Sequence, residues 1–168
     1  QTAVIRTTLP ELREVVILAL LTMTRVAVLI VLASLLWVPI GVSIGLRPRA
    51  AQVVQPIAQF LAAFPANLLF PMAVYGIVSW RLNPDVWLSP LMILGTQWYI
   101  LFNVIAGAGA MPHDLREVAE MAGLGQWARW RTLYLPAVFP SLVTGLVTAA
   151  GGAWNASIVA EYVRYRGE

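Results

Sequence analysis

Few side chains in this sequence are equipped for covalent chemistry. Ser43 sits in Gly41-Val-Ser43-Ile-Gly45, which matches the G-x-S-x-G turn that exposes a nucleophile in hydrolases. The single histidine, His113, has Asp114 beside it, so a serine hydrolase working at a membrane face is one formal reading. A nucleophile elbow, however, needs a strand-to-helix turn, and Ser43 lies inside an apolar helical run. No catalytic residue is assigned on this basis. His113 alone makes no metal site, and a chain without cysteine has neither a disulfide nor a thiolate ligand. No metal or cofactor is expected. Asn155-Ala-Ser157 has the form of a glycosylation acceptor but falls in an apolar stretch, where such matches arise by chance.

The elements around these residues belong to a lipid environment. The chain is 60% hydrophobic and 11% charged, against about 25% charged in soluble domains. Stretches without charge run over Val26–Leu46, Ala50–Trp80, Val86–Pro112 and Thr132–Ala160. Each exceeds the roughly 20 helical residues that cross a hydrocarbon core. The expected class is an all-α membrane protein with four spans, at about 15–46, 58–80, 87–110 and 136–160. Residues 1–14 read as an interfacial lead-in or linker and 164–168 as a tail. The net charge of +3 comes from a set of basic residues that are all arginine, placed as membrane-flank anchors rather than as a nucleic-acid surface. If 113–135 faces the cytoplasm, Arg47, Arg49, Arg116, Arg129 and Arg131 lie inside and only Arg81 lies on the opposite short loop. The short loops fit the positive-inside rule, while Arg6, Arg13, Arg164 and Arg166 then lie outside and blunt the signal.

Polar side chains inside the apolar runs are the candidates for a solute path: Asn67, Gln97, Asn103, Thr148 and Asn155. An unpaired amide at membrane depth is costly, so hydrogen bonds between helices are the competing explanation for each. Pro65 and Pro71 bracket Asn67 within the second span. Broken helices with polar midplane residues also occur in secondary transporters. A secondary transporter half, or a membrane scaffold that uses no ATP, is therefore the alternative to any ATP-driven reading.

One segment does not look like membrane. Residues 117–136, EVAEMAGLGQWARWRTLYLP, carry Glu117, Glu120, Arg129 and Arg131 together with Trp127 and Trp130. Asp114 and Glu117 have capping-box spacing, with Asp114 as the N-cap. Leu115, Val118, Ala119 and Ala122 fall on one helical face, and Arg116, Glu117 and Glu120 on the other. Gly123 can stop this helix in a left-handed conformation. A second short helix is expected from about Gln126, before Pro136 opens the next span. Two readings stand side by side: an interfacial hairpin anchored in lipid headgroups, or a knob that seats in a groove on a partner.

The segment resembles the EAA motif of inner-membrane permease subunits of ABC importers, which runs E-A-A, three residues, G, and about a dozen residues to L-P. Glu117, Val118 and Ala119 stand at E-A-A, Gly123 at the glycine and Leu135-Pro136 at L-P, with Val118 replacing the first alanine. Trp127 and Arg131 fall where the nitrate, sulfonate and taurine branch often has them. TRVAVLIVLASLLWVPIGVSIGLRPR resembles that branch's first core span, AQFLAAFPANLLFPMAVYGI its second, and GGAWNASIVAEYV its fourth. The likeness covers about residues 18–163, and the family's fifth core helix is expected to lie beyond them. It implies a permease at the inner membrane, working with a separate ATP-binding subunit, a second permease subunit and a solute-binding protein. It further implies that Glu117, Ala119, Gly123, Trp127, Arg131 and Pro136 form the coupling contact with the ATPase. The absence of a GxxxxGK[ST] phosphate loop is consistent with ATP being hydrolysed elsewhere.

Overall fold

A computed structural model describes residues 9–81 and 84–166. Its elements are helical: α1 (Leu9–Gly45), α2 (Pro48–Ala63), a 3-10 turn (Ala66–Leu69), α3 (Phe70–Ser79), α4 (Pro84–Leu94), α5 (Gln97–Gly109), α6 (His113–Met121), α7 (Gln126–Arg129) and α8 (Leu135–Arg166). Among the described residues, three segments are long and apolar enough to cross a membrane: Leu12–Gly45, Ser89–Gly109 and Gln126–Ile158.

The central element is α5. Ile100, Leu101, Val104, Ile105 and Ala108 are all buried. One side of α5 packs against Ala33, Val38 and Val42 of α1 and Val138 and Ala149 of α8. Ala58 of α2 closes on Leu101 and Ile105 from another side. Phe70, Met92 and Ala156 tie α3, α4 and α8 together in a smaller cluster. By contrast, only 6% of the most apolar window in Leu12–Gly45 is buried, against 44% in Ser89–Gly109. The long face of α1 is therefore left to lipid or to other helices, whereas α5 is enclosed by protein.

The helices approach α5 closely because small residues meet its backbone. A Cβ added at Gly45 would stand 2.5 Å from the Ile105 carbonyl oxygen, and one at Gly145 would stand 2.9 Å from that of Tyr99. Association in lipid gains nothing from expelling water, so backbone-close packing of this kind supplies the attraction.

The structure departs from the expected spans in instructive places. The second stretch, expected as one span over 58–80, is broken. Its α2 ends at Ala63, and Phe64 adopts φ −71°, ψ 127°. Proline disfavours a helical conformation in the residue before it, which favours the exit at Pro65. The chain then passes through the 3-10 turn and restarts as α3, with Pro71 in its first turn, where a missing N–H costs nothing. At 16 residues α2 is roughly 24 Å long, short of a hydrocarbon core by itself. The lead-in reading for 1–14 is also changed, because α1 already begins at Leu9; residues 1–8 lie outside the described residues, as do Gly167 and Glu168 of the tail. The third stretch bends at Gly95–Thr96 between α4 and α5.

Replacing Gly45 by leucine is expected to cost about 1–3 kcal/mol, the usual penalty for overpacking. The check is thermal unfolding in detergent, with Gly76→Ala as the control. A Cβ at Gly76 meets nothing within 4 Å, so that variant should unfold no earlier than wild type. An unchanged midpoint for Gly45→Leu would contradict the close α1–α5 contact.

Candidate functional site at the α6–α7 hairpin

The chain leaves α5 through Ala110 and Met111, and Pro112, at φ −55° and ψ 138°, sets the start of α6. Asp114 therefore lies within the first turn and no side chain caps the helix, so the capping box expected from Asp114 and Glu117 does not form. Asp114 still favours the helix by placing negative charge near its N-terminus. Glu117 instead faces His113, with Nδ1 and Oε1 at 3.7 Å and side chains 80% and 62% exposed. A pair so open to solvent holds neither group tightly, which leaves the carboxylate accessible.

The end of α6 is a well-formed Schellman turn. The Leu124 amide donates to the Ala119 carbonyl at 3.1 Å, the Gly123 amide donates to that of Glu120 at 3.0 Å, and Gly123 has φ +62°. Nothing in the chain stands within 4 Å of a Cβ placed on Gly123, so its demand for glycine is conformational. Arg129 of α7 then closes the hairpin. Its Nε donates to the Leu124 carbonyl at 2.8 Å, and its Nη1 lies 3.7 Å from Glu120 Oε1.

The expected second short helix is continuous with the following span. After α7 comes one π-helical turn, Trp130–Tyr134, with the Leu135 amide donating to the Trp130 carbonyl, and α8 follows at once. Pro136 supplies the reason: it has no N–H for the Thr132 carbonyl and its ring crowds that oxygen, a conflict that the wider turn relieves. Trp130 and Tyr134 stack edge to face across this turn, with ring centroids 5.7 Å apart.

The faces of α6 are assigned differently from the pattern reading. Of the apolar row, only Ala119 is buried; Leu115 and Val118 are 47% and 56% exposed, and Met121 beside them is 80% exposed. Arg116, expected on the outer polar face, turns inward. Its Nη1 donates to the Leu46 carbonyl at 3.2 Å, just beyond α1, and its Nη2 to the Ala108 carbonyl near the end of α5 at 3.4 Å. Helix C-termini carry unpaired carbonyls and partial negative charge, both of which a guanidinium satisfies. This residue was missed because its partners lie in other helices. The only hint in the sequence was an arginine three residues before Ala119, on a helix following two glycine-rich helix ends.

Of the expected coupling residues, Glu117, Gly123, Trp127, Arg131 and Pro136 are exposed and Ala119 is buried. Trp127 and Arg131 also stand at one end of an apolar groove of about 1230 Å³ between α1 and α8. The solute-path candidates are not gathered. Gln97 accepts from Trp37 Nε1 at 3.0 Å, a tie between α5 and α1. Asn103 donates to the Tyr99 carbonyl and Thr148 to that of Thr144, each within its own helix. Asn155 is exposed, and the side chain of Asn67 lies outside the described residues. Neither the apolar groove nor a polar cleft of about 210 Å³ beside Arg47 and Arg129 is lined by Gln97, Asn103, Thr148 or Asn155. The hydrolase reading loses its nucleophile, since Ser43 Oγ donates to the Pro39 carbonyl in its own helix and His113 faces Glu117.

Residues 37–165 match the family of binding-protein-dependent transport system inner membrane components. The chain belongs to this family. With three described segments long and apolar enough to cross a membrane, it is a multi-pass inner-membrane protein. Similar proteins include the bicarbonate transport system permease protein CmpB of Synechococcus elongatus, 29% identical over 142 residues, which make up 84% of this chain and 50% of the relative. The nitrate import permease protein NrtB of Leptolyngbya laminosa is 28% identical over 83% of this chain and 49% of its own length. The taurine transport system permease protein TauC of Escherichia coli is 23% identical over 84% and 50%. The chain thus spans about half the length of the curated relatives it matches.

Gly123→Ala is expected to strain the turn by about 1–2 kcal/mol, the cost of a left-handed conformation for a residue with a Cβ. Hydrogen exchange at the Gly123 and Leu124 amides should quicken by about tenfold, which corresponds to 1.4 kcal/mol of local opening. Gly125→Ala should leave exchange unchanged, because Gly125 has φ −63° and open space around it.

Proposed function

We propose that this chain forms the membrane half of an ATP-driven importer and that the α6–α7 hairpin seats in a groove on a separate ATP-binding subunit. The observation that carries this reading is the outward apolar row of Leu115, Val118 and Met121, with Trp127 beyond it, on a hairpin closed by Arg129. An amphipathic helix presenting such anchors fits a hydrophobic groove. Glu117 stands beside the row with its carboxylate accessible, suited to a polar contact at the groove's edge.

In this reading, closure of the ATPase pair draws two such hairpins together and rocks the spans between inward-open and outward-open states, a rigid-body transition of the kind alternating access requires. Residues 15–163 make up the permease unit, with 113–135 on the cytoplasmic side. A second permease subunit completes the assembly together with a solute-binding protein, the latter in line with the family's description as binding-protein-dependent. Bicarbonate, nitrate and taurine, named for the relatives, point to a small anion as the solute. Asn67, Gln97, Asn103, Thr148 and Asn155 remain the candidates for its path, with Gln97 also serving as the α1–α5 tie.

The test is co-purification of the full-length subunit with its candidate ATPase in mild detergent, comparing wild type with a Val118→Glu, Met121→Glu double variant. Buried anchors at interfaces each contribute more than about 1 kcal/mol, so ATPase retention should fall by at least about tenfold. Exchange protection at Leu124 should persist, showing that the hairpin still folds. Full retention by the variant would remove the docking reading and leave a hairpin lying on lipid.

A further inference from the structure

We propose that Arg116 is the positioning residue through which movement of the hairpin reaches the membrane helices. The inference rests on the importer reading above and assigns the link within it. Among the described residues, Ala119 is the buried residue of α6, and Arg116 supplies its side-chain hydrogen bonds to the ends of α1 and α5. That side chain grips two helices at once, through the Leu46 carbonyl after α1 and the Ala108 carbonyl in the last turn of α5. These oxygens lie side by side because Gly45 lets α1 close on Ile105 and Ala108.

The chemistry of the guanidinium suits this role. Its planar fork fixes the angle between its donors, so two carbonyls held by the two Nη atoms are fixed relative to each other and to α6. Arg116 Nε is buried without a partner. A push on the outer face of α6 is therefore delivered to the ends of α1 and α5 together.

These 168 residues contain no cysteine, so single reporters can be placed among them once any cysteine elsewhere in the full-length subunit or in the ATPase has been replaced. An environment-sensitive fluorophore is attached at Asp114→Cys on α6 or at Leu36→Cys on α1, both exposed positions; Asp114 shares the outer face of α6 with Val118 and Met121, so its probe also reports docking. Each labelled subunit is assembled with its ATPase in vesicles and driven with Mg-ATP and vanadate. Wild type should respond at both positions. Arg116→Leu should keep the ATPase and the α6 response while the α1 response falls by about two- to thirtyfold, the range of coupling carried by contiguous contacts. Arg116→Lys, which keeps the charge but not the fork, should recover part of the α1 response.

An undiminished α1 response in Arg116→Leu overturns the proposal. So does loss of both responses with the ATPase still bound, because Arg116 would then merely hold the hairpin's shape. If wild type binds no ATPase, or responds at neither position, the importer reading fails first and the inference falls with it.

Discussion

The architecture depends on how closely α1 and α8 approach the backbone of α5. Gly45 and Gly145 bring neighbouring helices to within van der Waals reach of main-chain atoms on two sides of that helix. In lipid, where apolar side chains gain little by leaving one apolar phase for another, such contacts and a few hydrogen bonds are what hold helices together. The Trp37–Gln97 bond adds a polar tie across the same pair of helices. Because α1 and α5 pack this tightly to their ends, their last carbonyls emerge next to each other, close enough for one arginine to reach both.

Prolines shape the rest. Pro65 turns what composition presents as one span into two shorter helices, and Pro136 replaces a helical turn with a π turn without ending the helix. The outcome differs because of what surrounds each. Phe64 and Pro65 stand where the chain has room to leave α2, whereas Pro136 lies between Trp130–Tyr134 packing and the buried start of α8 at Val138. Where neighbours hold both sides of a proline, widening the turn costs less than breaking the helix.

Much of this was legible in the sequence. Charge-free runs located the apolar parts of α1, α5 and α8, and the spacing from Glu117 through Gly123 to Pro136 located the hairpin and its left-handed turn. The break after Ala63 was not read, although both prolines were noticed, because hydropathy averages composition and is blind to a single backbone angle. The rotation of α6 was missed for a different reason. In a nine-residue helix an arginine and an alanine three positions apart fit either face, and the deciding carbonyls sit 70 and 8 residues away in the chain. Gln97 posed a choice between solute path and helix tie; the bond to Trp37 supplies the tie and leaves the path reading as a proposal.

The rotation of α6 follows from where the helix sits. Amphipathic patterns are read on the premise that a helix turns its apolar face toward the molecule, which holds when the molecule's interior is apolar. At the end of a membrane bundle the surface facing a capping helix is made of helix termini, and these present carbonyl oxygens rather than side chains. A helix lying there gains by turning a cation inward and leaving its apolar row outside. Leu115, Val118 and Met121 are exposed for the same reason that Arg116 is drawn in. The outward apolar row and the inward arginine are thus two consequences of one location, and a sequence reading of any short helix that follows a membrane span should weigh this inverted arrangement alongside the usual one.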